Sequence, residues 1–317
     1  MNQKWKFPRV SARTGIVASL FGAASIFVVT QAAIGNTDAG VVVPKPSADI
    51  AFGAYDPPGF FINDDGVSVE HLFLPWEDVE LESLLLADQY AKERGRSVLI
   101  TVEPWTWGEN WDVSPAELRS GIASGAYDPN ISAICTVANA MESPVTIRWA
   151  QEMESTSGRF TWSGWEPDAY IDAYQHVVDV CRENAPDASF MWSPKGEEGL
   201  QAYYPGDDYA DVVGLSVFGL QEWDKDKYGG DRTFAETLAP AYERVVGFGK
   251  PVYVAELGYV GDREYVTKWA EDVTNVGPEF PELTTVVYFN DKEVWPWPDG
   301  YGLPDWRITE QILPENS

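Results

Sequence analysis

The chain alternates between short apolar runs and amphipathic segments over most of its length. Eight runs of four to seven residues are apolar almost throughout, a pattern typical of parallel strands that are buried on both faces. The runs are IAFGAY (50–55), HLFL (71–74), SVLITVE (97–103), VTIRWA (145–150), SFMWS (189–193), VVGLSVF (212–218), PVYVAE (251–256) and TVVYFN (285–290).

Apolar residues at helical spacing lie between most of these runs. The predicted helices cover residues 81–94, 131–141, 168–184, 233–248 and 264–274, whereas the connections at 60–70 and 194–211 look short or irregular. Eight strands that alternate with helices in one domain predict an α/β fold, the (β/α)8 or TIM barrel. An open doubly wound sheet is the alternative, and the lack of a Gly-rich phosphate loop argues against it.

The first residues differ from the rest. Four basic residues precede an uncharged apolar segment, residues 15–35, which is longer than the core of most signal peptides and about long enough to span a bilayer. We predict a cleaved signal peptide or a retained membrane anchor over 1–36, a proline-containing linker over 37–48 and the barrel over 49–317. Both readings export the barrel, as a secreted or periplasmic protein or attached to the membrane with the barrel outside.

Charge and composition narrow the range of ligands. The chain has 22 Lys and Arg against 50 Asp and Glu, and a surface with a net charge of −28 repels the phosphates of nucleic acids. Two histidines are too few for a multi-histidine zinc site and leave little for a Ser-His-Asp triad, so we predict no metal and no cofactor. Cys135 and Cys181 either form one disulfide or remain buried thiols. The content of 14 Trp, 15 Tyr and 14 Phe favours a neutral polysaccharide as the partner of a monomeric protein, since sugar rings stack on aromatic faces.

Two glutamates end predicted strands. Catalytic residues of such barrels lie at the carboxyl ends of the strands, and Glu152 follows the fourth run while Glu256 ends the seventh. Cleavage of a glycosidic bond with retention of configuration needs one carboxyl as acid/base and one as nucleophile. A single strand-end glutamate is more often a salt-bridge partner, but two at these positions favour catalysis, with Glu152 as the acid/base and Glu256 as the nucleophile.

Polar and aromatic residues at the same strand ends and in the loops beyond them predict a long cleft for sugar binding. The candidates for substrate contact are Glu103, Trp105, Trp107, Arg148, Gln151, Trp162, Trp165, Trp192, Phe218, Trp223, Tyr288 and Trp295. Among them, Arg148, Gln151 and Trp162 are expected to position the sugar at the bond that is cut.

The chain resembles glycoside hydrolase family 26, a family of retaining β-mannanases and β-glucanases. The resemblance runs from about residue 50 to 306 and rests on ITVEPW (100–105), IRWAQEME (147–154), RFTWSGWEPDAY (159–170), FMWSPKG (190–196), YYPGDDYADVVGLSVFG (203–219) and PVYVAELG (251–258). It implies a (β/α)8 barrel and a retaining endo-β-glycanase that cuts β-1,4-linked or mixed-linkage mannan or glucan. The family's R-x-x-H-E-M-N-G acid/base motif falls on Glu152, and its nucleophile motif falls on Glu256.

The surroundings of this pair differ from the family pattern. Gln151, Glu154 and Phe218 stand where the family usually has His, Asn and Tyr, and these changes bear on mannan specificity more than on hydrolysis. The alternatives are a β-1,3-1,4-glucanase, a hydrolase or transglycosidase that trims exopolysaccharide, and a weakly active barrel that binds polysaccharide.

Overall fold

The computed structural model describes residues 41–47, 49–108 and 111–314. The predicted leader (1–36) lies outside the described residues, and the division into leader, linker and barrel stays a prediction. The barrel is built from eight strands, numbered here in chain order: β1 (Ala51–Tyr55), β2 (Val67–Pro75), β3 (Ser97–Glu103), β4 (Val145–Trp149), β5 (Ser189–Trp192), β6 (Val212–Leu220), β7 (Val252–Val260) and β8 (Leu283–Phe289).

These strands form one closed parallel barrel in which each strand pairs with its neighbours in the chain, and β8 pairs with β1. The predicted (β/α)8 barrel is therefore confirmed. All eight apolar runs are strands, although β2 begins four residues earlier than predicted and β7 extends four residues farther. A separate two-stranded hairpin, Trp107–Gly108 with Trp111–Asp112, lies in the loop after β3.

Seven α-helices occur in the described part of the chain: α1 (Glu82–Glu93), α2 (Pro115–Ala123), α3 (Asp128–Ala140), α4 (Pro167–Arg182), α5 (Gln221–Tyr228), α6 (Phe234–Val245) and α7 (Arg263–Thr274). The sequence predicted five of them and missed α2 and α5. The connection from β1 to β2 has no helix, and that from β5 to β6 has only a 3-10 turn, Leu200–Tyr203, so the two irregular connections are confirmed. None of the described helices is long and apolar enough to cross a membrane.

Alternation along the strands gives the barrel an apolar floor and a polar upper layer. In β3, Leu99 belongs to a buried cluster with Met191, Ala255 and Val287. Thr101, two residues further, is on the same face of the strand but belongs to a layer of hydrogen-bonded polar side chains. The floor supports this polar layer from below, at the carboxyl ends of the strands.

Cys135 and Cys181 form a disulfide between α3 and α4, with their Cα atoms 5.3 Å apart. Of the two states that the sequence left open, the structure shows the bridged one. It fastens together two helices on the outside of the barrel beside β4, the strand that leads to Glu152.

Candidate active site

An irregularity in β7 aims Glu256 into the barrel. The register against β6 shifts so that Leu215 pairs with Val254 while Ser216 pairs with Glu256, which leaves Ala255 as an extra residue. In a regular strand Ala255 and Glu256 would face opposite sides of the sheet. The bulge lets both face inwards, since Ala255 joins the apolar floor and Glu256 bonds to a side chain inside the barrel.

Glu256 is held by a buried arginine. The Nη1 of Arg148 donates to Oε1 of Glu256 at 2.6 Å, and the Arg148 side chain is fully buried. Its Nε donates to the Ser193 hydroxyl at 2.8 Å and its Nη1 also contacts the Thr101 hydroxyl at 3.3 Å. Neighbouring strands β3, β4 and β5 thus fix the guanidinium that faces the proposed nucleophile.

Opposing effects set the pKa of Glu256. Burial raises it above the usual value for a glutamate, the positive charge of Arg148 lowers it, and the negative charge of Glu152 raises it again. The net shift is upward. Arg148, with a smaller effect from Arg159, therefore favours the ionised, nucleophilic form against burial.

Replacing Arg148 by methionine should move the acidic limb of the pH–activity profile to higher pH. A nucleophile must be ionised, so activity is lost as the pH falls through the pKa of Glu256. Loss of the cation removes the largest effect that lowers this pKa, so the pKa rises. The measurement is kcat/KM against pH. Arg148→Lys, which keeps the charge, should shift the limb less, and an unmoved limb in a folded Arg148→Met enzyme would contradict the assignment.

Glu152 lies at the end of β4 in an unusual backbone conformation. Its φ is +58° and that of Ala150 is +48°. Both values lie in the left-handed region, which residues other than glycine seldom adopt. The N–H of Glu152 donates to the carbonyl of Ser193 at 2.8 Å, which ties the turn to β5. Such strained conformations often mark functional sites, and this one brings the Glu152 carboxylate close enough to act on the pKa of Glu256.

A hydrogen-bonded group beside the two glutamates joins β3 to the turn after β4. The amide nitrogen of Gln151 donates to Glu103 at 2.8 Å, and Glu103 also accepts from the indole of Trp105 at 3.0 Å. The indole of Trp162 donates to the Gln151 carbonyl at 2.8 Å. Burial raises the pKa of Glu103, which is the largest of several effects on it. Gln151, in the position where the family usually has His, therefore bonds a partly buried carboxyl in this structure.

Glu154 fastens the next loop. Its Oε1 accepts from the N–H groups of Gly196 and Glu197 at 2.8 and 3.1 Å, and burial raises its pKa. Lys195 directly precedes these two residues, and its pKa is raised by Glu197, Glu152 and Glu154 against the effect of burial. The departure at Glu154 thus fixes the loop that brings an ammonium group near Glu152.

Several aromatic side chains that were expected to contact sugar are buried instead. Trp162, Trp192 and Tyr288 have no exposed surface, and Trp165 is 4% exposed. Trp192 packs outwards against Tyr204 and Phe248 at 5.2 and 5.5 Å between ring centres. The structure assigns these rings to packing, which corrects the prediction. An aromatic run at a strand end does not tell which of its members faces the helices.

The remaining aromatic candidates keep some surface. Trp105, Trp107, Phe218 and Trp223 are partly exposed and Trp295 is 46% exposed. The ring of Phe218 packs against the rings of Phe289, Trp297 and Trp306. Their contact with a sugar stays a prediction.

Besides Lys195, two charged residues at the site, Arg159 and Glu293, were not predicted from the sequence. Arg159 lies in the loop after β4 and its Nη2 is 3.3 Å from Oε2 of Glu293, in the loop after β8. Glu293 is only 6% exposed, and burial raises its pKa. Neither lies at a strand end, so no strand-end rule could have found them. Among the described residues no group of three or more His, Cys, Asp and Glu side chains is placed to hold a metal ion.

Comparison with known proteins agrees with this geometry. The model of glycosyl hydrolase family 26 matches residues 108–257, a segment that contains both Glu152 and Glu256. A β-1,3-xylanase from Vibrio sp is 31% identical over 113 residues, and a mannan endo-1,4-β-mannosidase from Bifidobacterium adolescentis is 24% identical over 161 residues. These matches cover 33% and 47% of this chain. They span only 24% and 16% of the two relatives, so the chain corresponds to a minor part of each.

Solved structures share the fold. A family 26 β-mannanase from Bacteroides ovatus superposes with a TM-score of 0.59 at 18% identity, over 76% of this chain and 80% of that one. A modular endo-β-1,4-mannanase from Cellulomonas fimi gives a TM-score of 0.60 at 16% identity, over 87% and 72%. At such identities the likeness concerns the barrel alone. The family's sequence pattern over residues 108–257, which is somewhat less than half of the chain, and the closed barrel around it make this chain similar to glycosyl hydrolase family 26.

Proposed function

We propose that this barrel is a retaining β-glycanase that cuts a neutral polysaccharide by double displacement. The observation that carries the proposal is the pair of glutamates on β4 and β7. One is aimed inwards by a bulge and bonded to a buried arginine, and the other is close enough to influence the pKa of the first. A carboxyl pair on opposite sides of a glycosidic bond is what this reaction requires.

The roles follow from the surroundings of each glutamate. Arg148 favours the ionised form of Glu256, which attacks the anomeric carbon while Glu152 gives a proton to the departing oxygen. Glu152 then takes a proton from water, whose oxygen attacks the same carbon and displaces Glu256. In each step one C–O bond forms and one breaks at the anomeric carbon, which inverts its configuration. Two inversions restore the original configuration.

Three polysaccharides are candidate substrates. The family resemblance favours mannan and mixed-linkage glucan, and the names of the β-1,3-xylanase relatives add β-1,3-xylan. Gln151, Glu154 and Phe218 alter the surroundings of the pair relative to the mannanase pattern, which supports including the two other polymers.

A substrate panel tests the proposal. The protein is incubated with β-mannan, mixed-linkage β-glucan, β-1,3-xylan and cellulose, and new reducing ends are counted. Proton NMR at early times should show the β-anomer as the first product on the polymer that is cut. A first product of α configuration would contradict the retaining mechanism. If no polymer is cut although one is bound, a binding barrel would replace the enzyme.

We also propose that the barrel acts outside the cytoplasm. The Cys135–Cys181 disulfide supports this, because such bonds persist mainly in oxidising compartments. Labelling of free thiols in protein taken directly from cells tests it: a fully reduced pair would contradict export.

A further inference from the structure

An ion pair spans the mouth of the barrel. Arg159 belongs to the loop after β4 and Glu293 to the loop after β8, and their charged atoms are 3.3 Å apart. Three strands separate β4 from β8 in either direction around the closed barrel, so these two strands face each other across it. The two loops must therefore lean inwards to meet over the site. We call this pair the Arg159–Glu293 bridge.

Both ends of the bridge rest on buried aromatic side chains. The carboxylate of Glu293 accepts from the indole of Trp306 at 3.3 Å, and Trp306 is fully buried. The guanidinium of Arg159 lies 4.9 Å from the ring of Phe160, which stacks on the buried Trp162 at 4.5 Å. Because its side chains are supported on both sides, this bridge differs from a pair of freely moving surface charges.

The bridge lies close to the catalytic pair. The negative charges of Glu152 and Glu256 both act on it. They raise the pKa of Arg159 together with Glu293, against the effect of burial. They also raise the pKa of Glu293, where burial is the largest cause. Arg159 and Glu293 lie beyond the strand ends in sequence, whereas Glu256 lies within β7, so the bridge is on the outer side of the nucleophile.

Building on the hydrolase proposed above, we propose that the Arg159–Glu293 bridge closes the mouth over the catalytic pair and makes the enzyme attack polysaccharides from their ends. The long open cleft expected from the sequence would favour cuts inside the chain. The burial of Trp162, Trp192 and Tyr288 removes part of that cleft.

The energetic reason is the cost of parting the bridge. A polymer laid across the mouth has to separate Arg159 from Glu293, and Glu293 would keep its charge in a site that is almost fully buried. Moving Arg159, whose side chain is 30% exposed, away from the buried Glu293 is unfavourable, because the carboxylate is left without its cation. We expect a chain end to enter beside the bridge and to reach Glu256 without breaking the pair, which gives it the lower barrier.

The first test compares viscosity with bond cleavage. The wild-type enzyme should release many reducing ends from its polymer with little loss of viscosity. The double variant Arg159→Ala/Glu293→Ala lacks the bridge. It should lower the viscosity of the polysaccharide solution several-fold faster for the same number of cuts. Glu142→Gln is the matched control, since it removes the Lys92–Glu142 pair ahead of β4, at the other end of the barrel, and should behave as wild type.

Two results of this test would overturn the bridge. One is that the wild-type enzyme already lowers the viscosity of the polysaccharide solution, per bond cut, as much as random internal cutting does. The other is that the double variant folds, cuts a polymer and gives the same ratio of viscosity loss to bonds cut as the wild-type enzyme. Glu293→Gln, which keeps the size of the side chain but removes its charge, should fall between wild type and the double variant.

A second test does not depend on hydrolysis. In the Glu256→Gln background, the number of protein molecules bound per gram of polysaccharide is measured for one polymer at two chain lengths. Binding at ends makes this number rise in inverse proportion to chain length, whereas binding along the chain leaves it constant. If the protein binds at chain ends but the wild-type enzyme hydrolyses nothing, the proposed activity is wrong and the proposed role of the bridge is kept. If binding does not depend on chain length, or if there is no binding, the proposed role of the bridge is wrong.

Discussion

Replacing Glu256 by alanine should lower kcat on the susceptible polysaccharide by at least about 10⁴-fold, because alanine cannot form the glycosyl-enzyme intermediate. Glutamine at this position should be equally inactive, since an amide keeps the shape but does not attack. Initial rates of reducing-end release give the measurement. Glu264→Gln, an exposed glutamate in the first turn of α7, is the matched control and should retain full activity.

Azide distinguishes a missing nucleophile from a misfolded site. In Glu256→Ala the small anion can occupy the space left by the carboxylate and attack the anomeric carbon of an aryl β-glycoside directly. One displacement occurs instead of two, so the product is an α-glycosyl azide. Recovery of activity with this product supports the assignment. Unchanged activity of Glu256→Ala without azide would show that another residue is the nucleophile.

Much of the fold could be predicted because its strands are buried on both faces. Such strands read as continuous apolar runs, and all eight runs were recognised. The missed helices have weaker patterns. α5 is mostly polar, and α2 is short, although Ser114, Pro115 and Glu117 carry the capping box that marks its start.

The candidate site was predicted only in part. Glu152 and Glu256 were found because they lie at the ends of apolar runs in the sequence, but alternation alone would place Glu256 opposite Ala255, outside the barrel. The register shift that brings it inside depends on pairing with β6 and is not visible in the sequence of β7. Arg159 and Glu293 meet from opposite sides of the barrel, a relation that only the closed fold creates.

The aromatic residues show the same limit. Trp105 and Trp162 look alike in the sequence, both following strand ends. The structure leaves Trp105 partly exposed and bonded to Glu103, whereas Trp162 is enclosed by Phe160 and bonded to a main-chain carbonyl. The conformation of the loop decides whether such a ring is exposed to a sugar or packed inside the protein. Amino-acid composition does not predict this conformation.

Replacing Glu152 by alanine should have effects that depend on the leaving group. Cleavage of the polysaccharide should fall by about 10²–10⁴-fold, because a sugar oxygen departs poorly without a proton. An aryl glycoside with a strongly acidic phenol needs no proton, so its first step should stay fast. Without Glu152 to activate water, the glycosyl group then remains on Glu256, and a burst of phenol equal to the enzyme concentration should precede a slow steady rate.

The stereochemistry separates the two glutamates. In Glu152→Ala the nucleophile is intact, so azide attacks the glycosyl-enzyme and the product should be a β-glycosyl azide, the opposite anomer to that from Glu256→Ala. Glu166→Gln, an exposed glutamate that precedes α4, is the matched control. An equal loss on polysaccharide and on activated aryl glycoside, with no burst, would contradict the acid/base role. The strained turn at Ala150 and Glu152 would then need another explanation, since a residue that only paired with a cation would not require it.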